Sequence, residues 1–373
     1  MKKAIGRIDW ILFLSTLPIV IMGILAMGSF SGDNSLINRQ IIWLIVSVGI
    51  FFLLAQVEIK MLNKTNILIW IFGIALFFLA LIFAFGTISK GAQSRFDLGS
   101  LHFQPTEVVK VILILILAKY FSRRHVQIAH FKHIFISAVY LFTPFILVFL
   151  QPDFGSAVIL GLIWFGMILV SGVSKKHLFA VIGVGLVAFL SLWFFVFQNY
   201  QKERIISFVD PLSDIQGAGY NAYQSTIAVG SGQIFGKGVG FGTQSRLSFL
   251  PEYETDFIFA AYAEEWGFVG SLILFILFGV IIWRIIWHAV HAGSNFELLY
   301  CLGVAIFFIS HILINIGMNI GVLPVTGITL PFMSYGGSHL IAEFGALGLL
   351  MATRPYMRAT HRDYMKNEFV GLE

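Results

Sequence analysis

The residues best suited to chemistry crowd into one polar stretch, Gln224 to Gly267. Gly230, Gly232, Gly236, Gly238, Gly240 and Gly242 fall close together, with the cations Lys237 and Arg246 among and just after them. Asp256 follows where polar sequence gives way to an apolar run. Glycine lets backbone N–H groups approach a phosphate, and a lysine adds charge. A carboxylate at a membrane–water boundary can keep its charge and still accept a proton. The plainer readings are a flexible loop for the glycines and, for Asp256, a helix N-terminal carboxylate favoured by the macrodipole. The run is no nucleotide loop: Ser231 stands where the first glycine of GxxxxGK(S/T) belongs, and Gly238 follows Lys237.

Glu264 and Glu265 lie further into the same apolar run. Glu264 falls about 12 Å along a helix from Asp256, too far to share a proton with it. A second group is Gln104, Pro105, Thr106 and Glu107 with Lys110. Glu107 and Lys110 face one another at i,i+3 on a helix opened by Pro105 and Thr106. Charges of both signs inside an apolar segment imply a paired network or a polar cavity. Asp153 is a further member, and Glu264 is either in such an ion pair or functional. His311 and Asn315, one helical turn apart, suit a packed polar pair better than a metal site, since no HExxH or Cys/His cluster exists.

These groups need a scaffold, and composition says what kind. Apolar residues make up 58% and charged residues 12%, with a mean hydropathy of +0.88. A soluble domain of 373 residues cannot hide that much apolar surface. Cys301 is the single cysteine, so no intrachain disulfide forms. The cations are spread over short segments rather than gathered on one face, which argues against nucleic acid. The run 10–30 is too long for a signal-peptide core and is expected to be retained.

Runs long enough to span predict an all-α integral membrane protein with ten transmembrane helices, near 10–30, 41–57, 67–85, 106–121, 133–150, 155–173, 177–197, 257–283, 298–320 and 338–353. One side then holds 16 of the 24 Lys and Arg residues, including Lys2, Lys3, Arg7, Lys60, Lys64, Lys119, Arg123 and Arg124. That bias puts both termini in the cytoplasm and a large extracytoplasmic loop, 198–256, between the seventh and eighth spans. The whole chain is read as one polytopic domain, with that loop carrying the presumed active site. Residues 198–210 suit a short interfacial helix ended by Asp210 and Pro211. Residues 321–338, rich in Pro and Gly, suit a broken segment packed inside protein.

The motifs FQPTEVVK (103–110), QPDFGSA (151–157), GAGYNAYQS (217–225), GSGQIFGKGVGFGTQS (230–245), FLPEYETDFIFAAYAEEWGFVG (249–270) and NIGMNIGVLPVTGITLPFMSYGGS (315–338) together resemble the SEDS family (shape, elongation, division and sporulation) over almost the whole chain. The wording GTQS and AEE looks like the elongation members rather than the divisome members. The resemblance implies a peptidoglycan glycosyltransferase of the bacterial cytoplasmic membrane that polymerises lipid II on its outer face. It implies a class B penicillin-binding protein as transpeptidase partner, with other elongation-complex membrane proteins. Asp256 matches the family's essential aspartate, Glu107, Lys110 and Asp153 its intramembrane charges, and Lys237 its loop lysine. Glu254 stands where the family usually has His, and His339 where it usually has a small residue.

Glycosyl transfer needs a base for the acceptor hydroxyl and stabilisation of the departing diphosphate. Asp256 suits the first. Lys237, Arg246 and the amides of Gly236 and Gly238 suit the second, with Glu254 and Thr255 as neighbouring substrate-binding candidates. One carboxylate suffices for an inverting, single displacement, by analogy with glycosidases. A divalent cation (Mg or Mn) would also screen a diphosphate, although the sequence has no dedicated site. Two other functions remain open. A lipid II flippase would place its charges along a path at mid-membrane depth, and a scaffold of the elongation complex would use them structurally.

Overall fold

The computed structural model describes residues 8–29, 35–89, 92–98, 101–123, 131–197, 199–210, 219–247 and 249–368. Lys2, Lys3, Arg7, Arg124 and Pro211 of the sequence reading lie outside them.

Helix α1 (Trp10–Gly28) starts at Asp9, whose carboxylate accepts from the N–H groups of Ile11 and Leu12. Then come α2 (Ser35–Leu54), the short α3 (Ile59–Leu62) and α4 (Thr65–Phe85). A small antiparallel sheet follows, β1 (Thr87–Ser89), β2 (Ala92–Leu98) and β3 (Leu101–Phe103), in the order β1-β2-β3. It is an addition to the all-α expectation, short enough to escape an alternation test. Its pairs include Thr87 with Arg95 and Phe96 with Phe103.

Helices α5 (Pro105–Ser122), α6 (Phe131–Leu150), α7 (Phe154–Val170) and α8 (Lys175–Phe195) continue the bundle. The segment expected as a large loop is itself partly helical. It holds α9 (Asn199–Val209), where the interfacial helix was expected, then α10 (Tyr220–Ser231) and the single turn α11 (Thr243–Arg246). Helices α12 (Ile258–Val290), α13 (Asn295–Asn319) and α14 (Gly337–Glu368) complete the chain.

Among the described residues, α1, α2, α4, α6, α8, α12 and α13 are long and apolar enough to cross a membrane. Helix α7 and the first half of α14 are apolar but shorter. Helix α5 has the length but carries Glu107, Lys110 and Lys119. The outer faces are apolar: Trp70, Phe179, Phe194 and Phe195 are exposed, as side chains against lipid tails must be. Helix α8 buries no residue at all.

The core lies where α12, α13, α14, α1 and α5 meet. Tyr262, Tyr300, Phe307, Phe332 and Phe344 are fully buried there. The Phe332 ring stacks on Phe308 at 5.2 Å and meets Phe344 edge-on at 5.4 Å. Phe332 belongs to the non-helical segment between α13 and α14, which buries Ile328, Leu330, Met333 and Ser334 as well. From Ile328 onward this non-helical backbone is enclosed by protein, as the sequence suggested, whereas Gly321, Val322 and Leu323 are exposed.

Candidate active site

Asp256 stands two residues before α12, half-buried, in a tight turn built on Glu252. Glu252 adopts a left-handed φ of 57°, and its carbonyl accepts from the N–H groups of Thr255, Asp256 and Phe257. Three successive carbonyls are then held by four separate donors. That of Glu254 accepts from the Tyr335 N–H at 2.8 Å. That of Thr255 accepts from the Ser334 hydroxyl at 2.7 Å. That of Asp256 accepts from the side-chain amides of Asn315 at 2.9 Å and Asn319 at 3.0 Å. The two asparagines are four apart on α13 and therefore share a face.

This holding network is deep. The Asn319 side-chain oxygen accepts from the Ala260 N–H at 3.1 Å, and Asn315 also donates to the Ile328 carbonyl at 2.7 Å. The Ser334 hydroxyl accepts from the Leu330 N–H, and Gln40 of α2 donates to the Ser334 carbonyl at 3.2 Å. Gly327 approaches the carboxylate, and a Cβ there would come within 3.5 Å of Asp256 Oδ2. Its φ of 74° is a second reason for glycine. Beside the aspartate, burial and a hydrogen bond to Glu254 push the Tyr253 hydroxyl up to about 12, so it remains a neutral donor. Thr255 donates to the Glu252 carboxylate at 3.2 Å and so braces the turn.

The glycine-rich run is positioned differently from the phosphate cradle it resembles. Helix α12 breaks at Gly267, with φ 65° and ψ −162°. The run packs its backbone into that break. Gln233 and Ile234 carbonyls accept from Phe268 and Val269, and the Lys237 and Gly238 N–H groups donate to the carbonyls of Glu264 and Glu265 at 3.0 Å. The Gly236 N–H donates to the Gly232 carbonyl at 2.8 Å. The amides of Gly236 and Gly238 are thereby consumed inside the fold and cannot cradle a diphosphate. A Cβ at Gly232 or Gly236 would collide with the carbonyls of Ala263 or Glu265, so close backbone approach is what demands glycine.

Glu264, fully buried, is the anchor of this packing. It accepts from Lys237 Nζ at 2.7 Å, from the Thr243 N–H at 2.8 Å and from the Gln244 N–H at 3.1 Å. Lys237 also donates to the Thr243 hydroxyl at 2.9 Å, which leaves one of its three N–H groups for a ligand. Glu265 accepts from the Gly240 N–H at 2.6 Å. Arg246, at the end of α11, is exposed.

The four groups expected in one intramembrane network separate into three places. Glu107 and Lys110 do pair, at 2.8 Å and buried. Their further partners are His339 Nδ1, 3.1 Å from Glu107, and His311 Nε2, 3.4 Å from Lys110. His339 Nε2 lies 2.8 Å from Glu343 Oε1, a charge contact without hydrogen-bond alignment. Glu343 in turn accepts from the Phe332 N–H at 2.9 Å. Two carboxylates facing an ammonium and an imidazole make a paired buried cluster, the arrangement that burial of charge requires. Asp153 is apart from it: it caps α7 through the Ser156 N–H at 3.0 Å and accepts from Gln104 at 3.0 Å. Glu264 belongs to the glycine run, because the break in α12 turns it toward α11.

Sequence reasoning missed Asn319, Ser334, Glu343 and Gln40. The spacing of Asn315 and Asn319 was a usable signal, whereas Gln40 carried none. Among the described residues no three His, Cys, Asp or Glu side chains converge as metal ligands.

Comparison with known proteins agrees with this architecture. The model of the FtsW/RodA/SpoVE family, described as cell cycle protein, matches residues 8–358. The peptidoglycan glycosyltransferase MrdB of Escherichia coli is 38% identical over 361 residues, covering 95% of this chain and 94% of that protein. Stage V sporulation protein E of Bacillus subtilis is 33% identical, covering 94% and 98%. A solved structure described as coordinating polymerization and crosslinking in a peptidoglycan synthase complex superposes with a TM-score of 0.80 at 31% identity, covering 93% of this chain and 97% of that one. The crystal structure of the Thermus thermophilus rod shape determining protein RodA superposes with a TM-score of 0.70 at 29% identity, covering 93% and 96%. The chain therefore belongs to the FtsW/RodA/SpoVE family of cell cycle proteins, the SEDS proteins.

Proposed function

We propose that this chain is a peptidoglycan glycosyltransferase that polymerises lipid II, with Asp256 as the general base. The curated relatives that carry this activity in their names support the reaction class. The observation that carries the residue is the immobilised turn: carbonyls 254, 255 and 256 are each held, so the Asp256 carboxylate is aimed by α13 and the 320–336 segment rather than by its own helix. Such pre-organisation is what a base needs.

In the transfer, the acceptor sugar hydroxyl attacks the anomeric carbon of the donor. Its proton goes to Asp256, the bond from that carbon to the diphosphate breaks, and the bonding electrons leave with the diphosphate. Arg246 and the remaining donor of Lys237 are the cations we assign to receive it. A single displacement with inversion at the anomeric carbon needs only one carboxylate, Asp256, as base. The site faces outward across the cytoplasmic membrane, and both termini face the cytoplasm, in line with the distribution of Lys and Arg. A crosslinking partner, a class B penicillin-binding protein, is supported by the synthase-complex neighbour.

The test is polymerisation of lipid II by purified Asp256→Asn protein in vesicles. Loss of polymer with unchanged thermal unfolding supports the base. Unchanged polymerisation removes Asp256 from that role. Translocation of lipid II without polymer, by the unsubstituted protein, would support the flippase instead.

A further inference from the structure

A cavity of about 450 Å3 opens between α4, α5 and α6, far from Asp256. Its wall is Leu68, Ile69, Phe72, Ile116 and Tyr140, and Lys119 and Arg123 stand at its mouth with Thr65. Helix α5 fixes which membrane face this is. Its first turn carries Glu107, which contacts His339 just beyond the 330–336 segment that braces Thr255. Lys119 and Arg123 lie toward its other end, about 18 Å and about 24 Å from Glu107 at the helical rise, against a hydrocarbon thickness of about 30 Å. The cavity mouth is therefore in the leaflet opposite the Asp256 site, the one where Lys60, Lys64 and Lys132 also cluster in sequence.

Of the two cations Lys119 is buried and Arg123 exposed. Lys119 is 9% exposed, and its acceptors are the neutral backbone and side-chain oxygens of Asn63. Neither Lys119 nor Arg123 has a carboxylate within ion-pair distance among the described residues, and the cavity lining contains no acid. A buried ammonium and an exposed guanidinium over an apolar slot that opens toward lipid, through the exposed Ile69, match a phosphodiester headgroup with its chain. The volume falls within the range of small-molecule sites.

We propose that this cavity binds an anionic glycerophospholipid of the cytoplasmic leaflet, its phosphate on Lys119 and Arg123 and one acyl chain along Leu68, Ile69, Phe72 and Ile116. The lipid neutralises the cations and fills the slot between α4 and α6. It is separate from the substrate site and does not depend on the assignment of Asp256.

Native mass spectrometry of the full-length protein tests this, with phosphatidylglycerol, phosphatidylcholine of the same chains and inorganic phosphate as probes. The unsubstituted protein retains phosphatidylglycerol over phosphatidylcholine. Arg123→Gln, at an exposed position, lowers phosphatidylglycerol retention about fivefold, the worth of one basic residue near an anionic surface, and leaves phosphatidylcholine unchanged. Ile69→Trp, which fills the slot from its exposed edge, lowers retention of both lipids. Equal retention of the two lipids by the unsubstituted protein overturns the proposal. So does undiminished phosphatidylglycerol binding in Arg123→Gln, or displacement of the lipid by inorganic phosphate, which would mark a site for free anions.

Discussion

The Asn319 side-chain amide donates to the carbonyl of Asp256 at 3.0 Å while its oxygen accepts from the Ala260 N–H at 3.1 Å. One asparagine thus ties the turn carrying the carboxylate to the first turn of α12. Asn319→Asp keeps the acceptor and the shape but loses the donor. It leaves the Asp256 carbonyl with Asn315 alone and brings a negative charge near the base. The expected result is polymerisation reduced by one to two orders of magnitude, since a lost buried hydrogen bond costs about 1–3 kcal/mol. Retention of a lipid II analogue should be nearly unchanged. Initial-rate assays paired with binding measurements check this split.

Gly267 and Gly236 each demand glycine twice over, by positive φ and by backbone crowding. Gly267→Ala and Gly236→Ala are each expected to destabilise the protein by at least about 1–3 kcal/mol, the cost of a strained backbone residue before any collision. Gly183→Ala and Gly185→Ala, on α8 with open space around them, are the controls and should leave thermal unfolding in detergent unchanged.

Glu264 is fully buried and Lys237 about a third exposed, so the two halves of the pair are not equivalent. Lys237→Met strands a buried carboxylate, although Thr243 and Gln244 still donate to it, and is expected to cost up to about 3–5 kcal/mol. Glu264→Gln leaves a solvated ammonium and should cost less. The double substitution should be less damaging than the sum of the two, a difference readable from a denaturation cycle.

Asp9 joins α1 to the far end of α12. Its carboxylate accepts from Arg284 Nε at 2.9 Å and from His288 Nε2 at 2.8 Å. Burial pushes its carboxyl up, but the hydrogen bonds from His288, Arg284 and the Leu12 N–H outweigh that and hold it well below the usual carboxylate range. A depressed carboxyl contributes stability that is complete above the unfolded value, near 3.9, and fades as pH falls toward the folded one. Asp9→Asn should therefore be less stable than the unsubstituted protein at pH 7. The gap should narrow below about pH 4, as thermal unfolding across a pH series would show.

Much of the scaffold was legible in the chain itself. Apolar runs predict helices because lipid leaves the backbone no other partner, and each predicted span has a helix over it. The position of Asp256 where polar sequence meets an apolar run was visible in the chain, and the Glu107–Lys110 pair followed from its i,i+3 spacing. What tertiary structure decided were pairings over long separations. Glu107 meets His339 across 232 residues, and Gln40 reaches Ser334 across 294. Periodicity carries no information about such contacts. The same holds for the glycine run, whose composition suits a phosphate loop. Only the break at Gly267 shows that its amides are spent on the carbonyls of Glu264 and Glu265, because a buried N–H must find an acceptor and the interrupted helix supplies them.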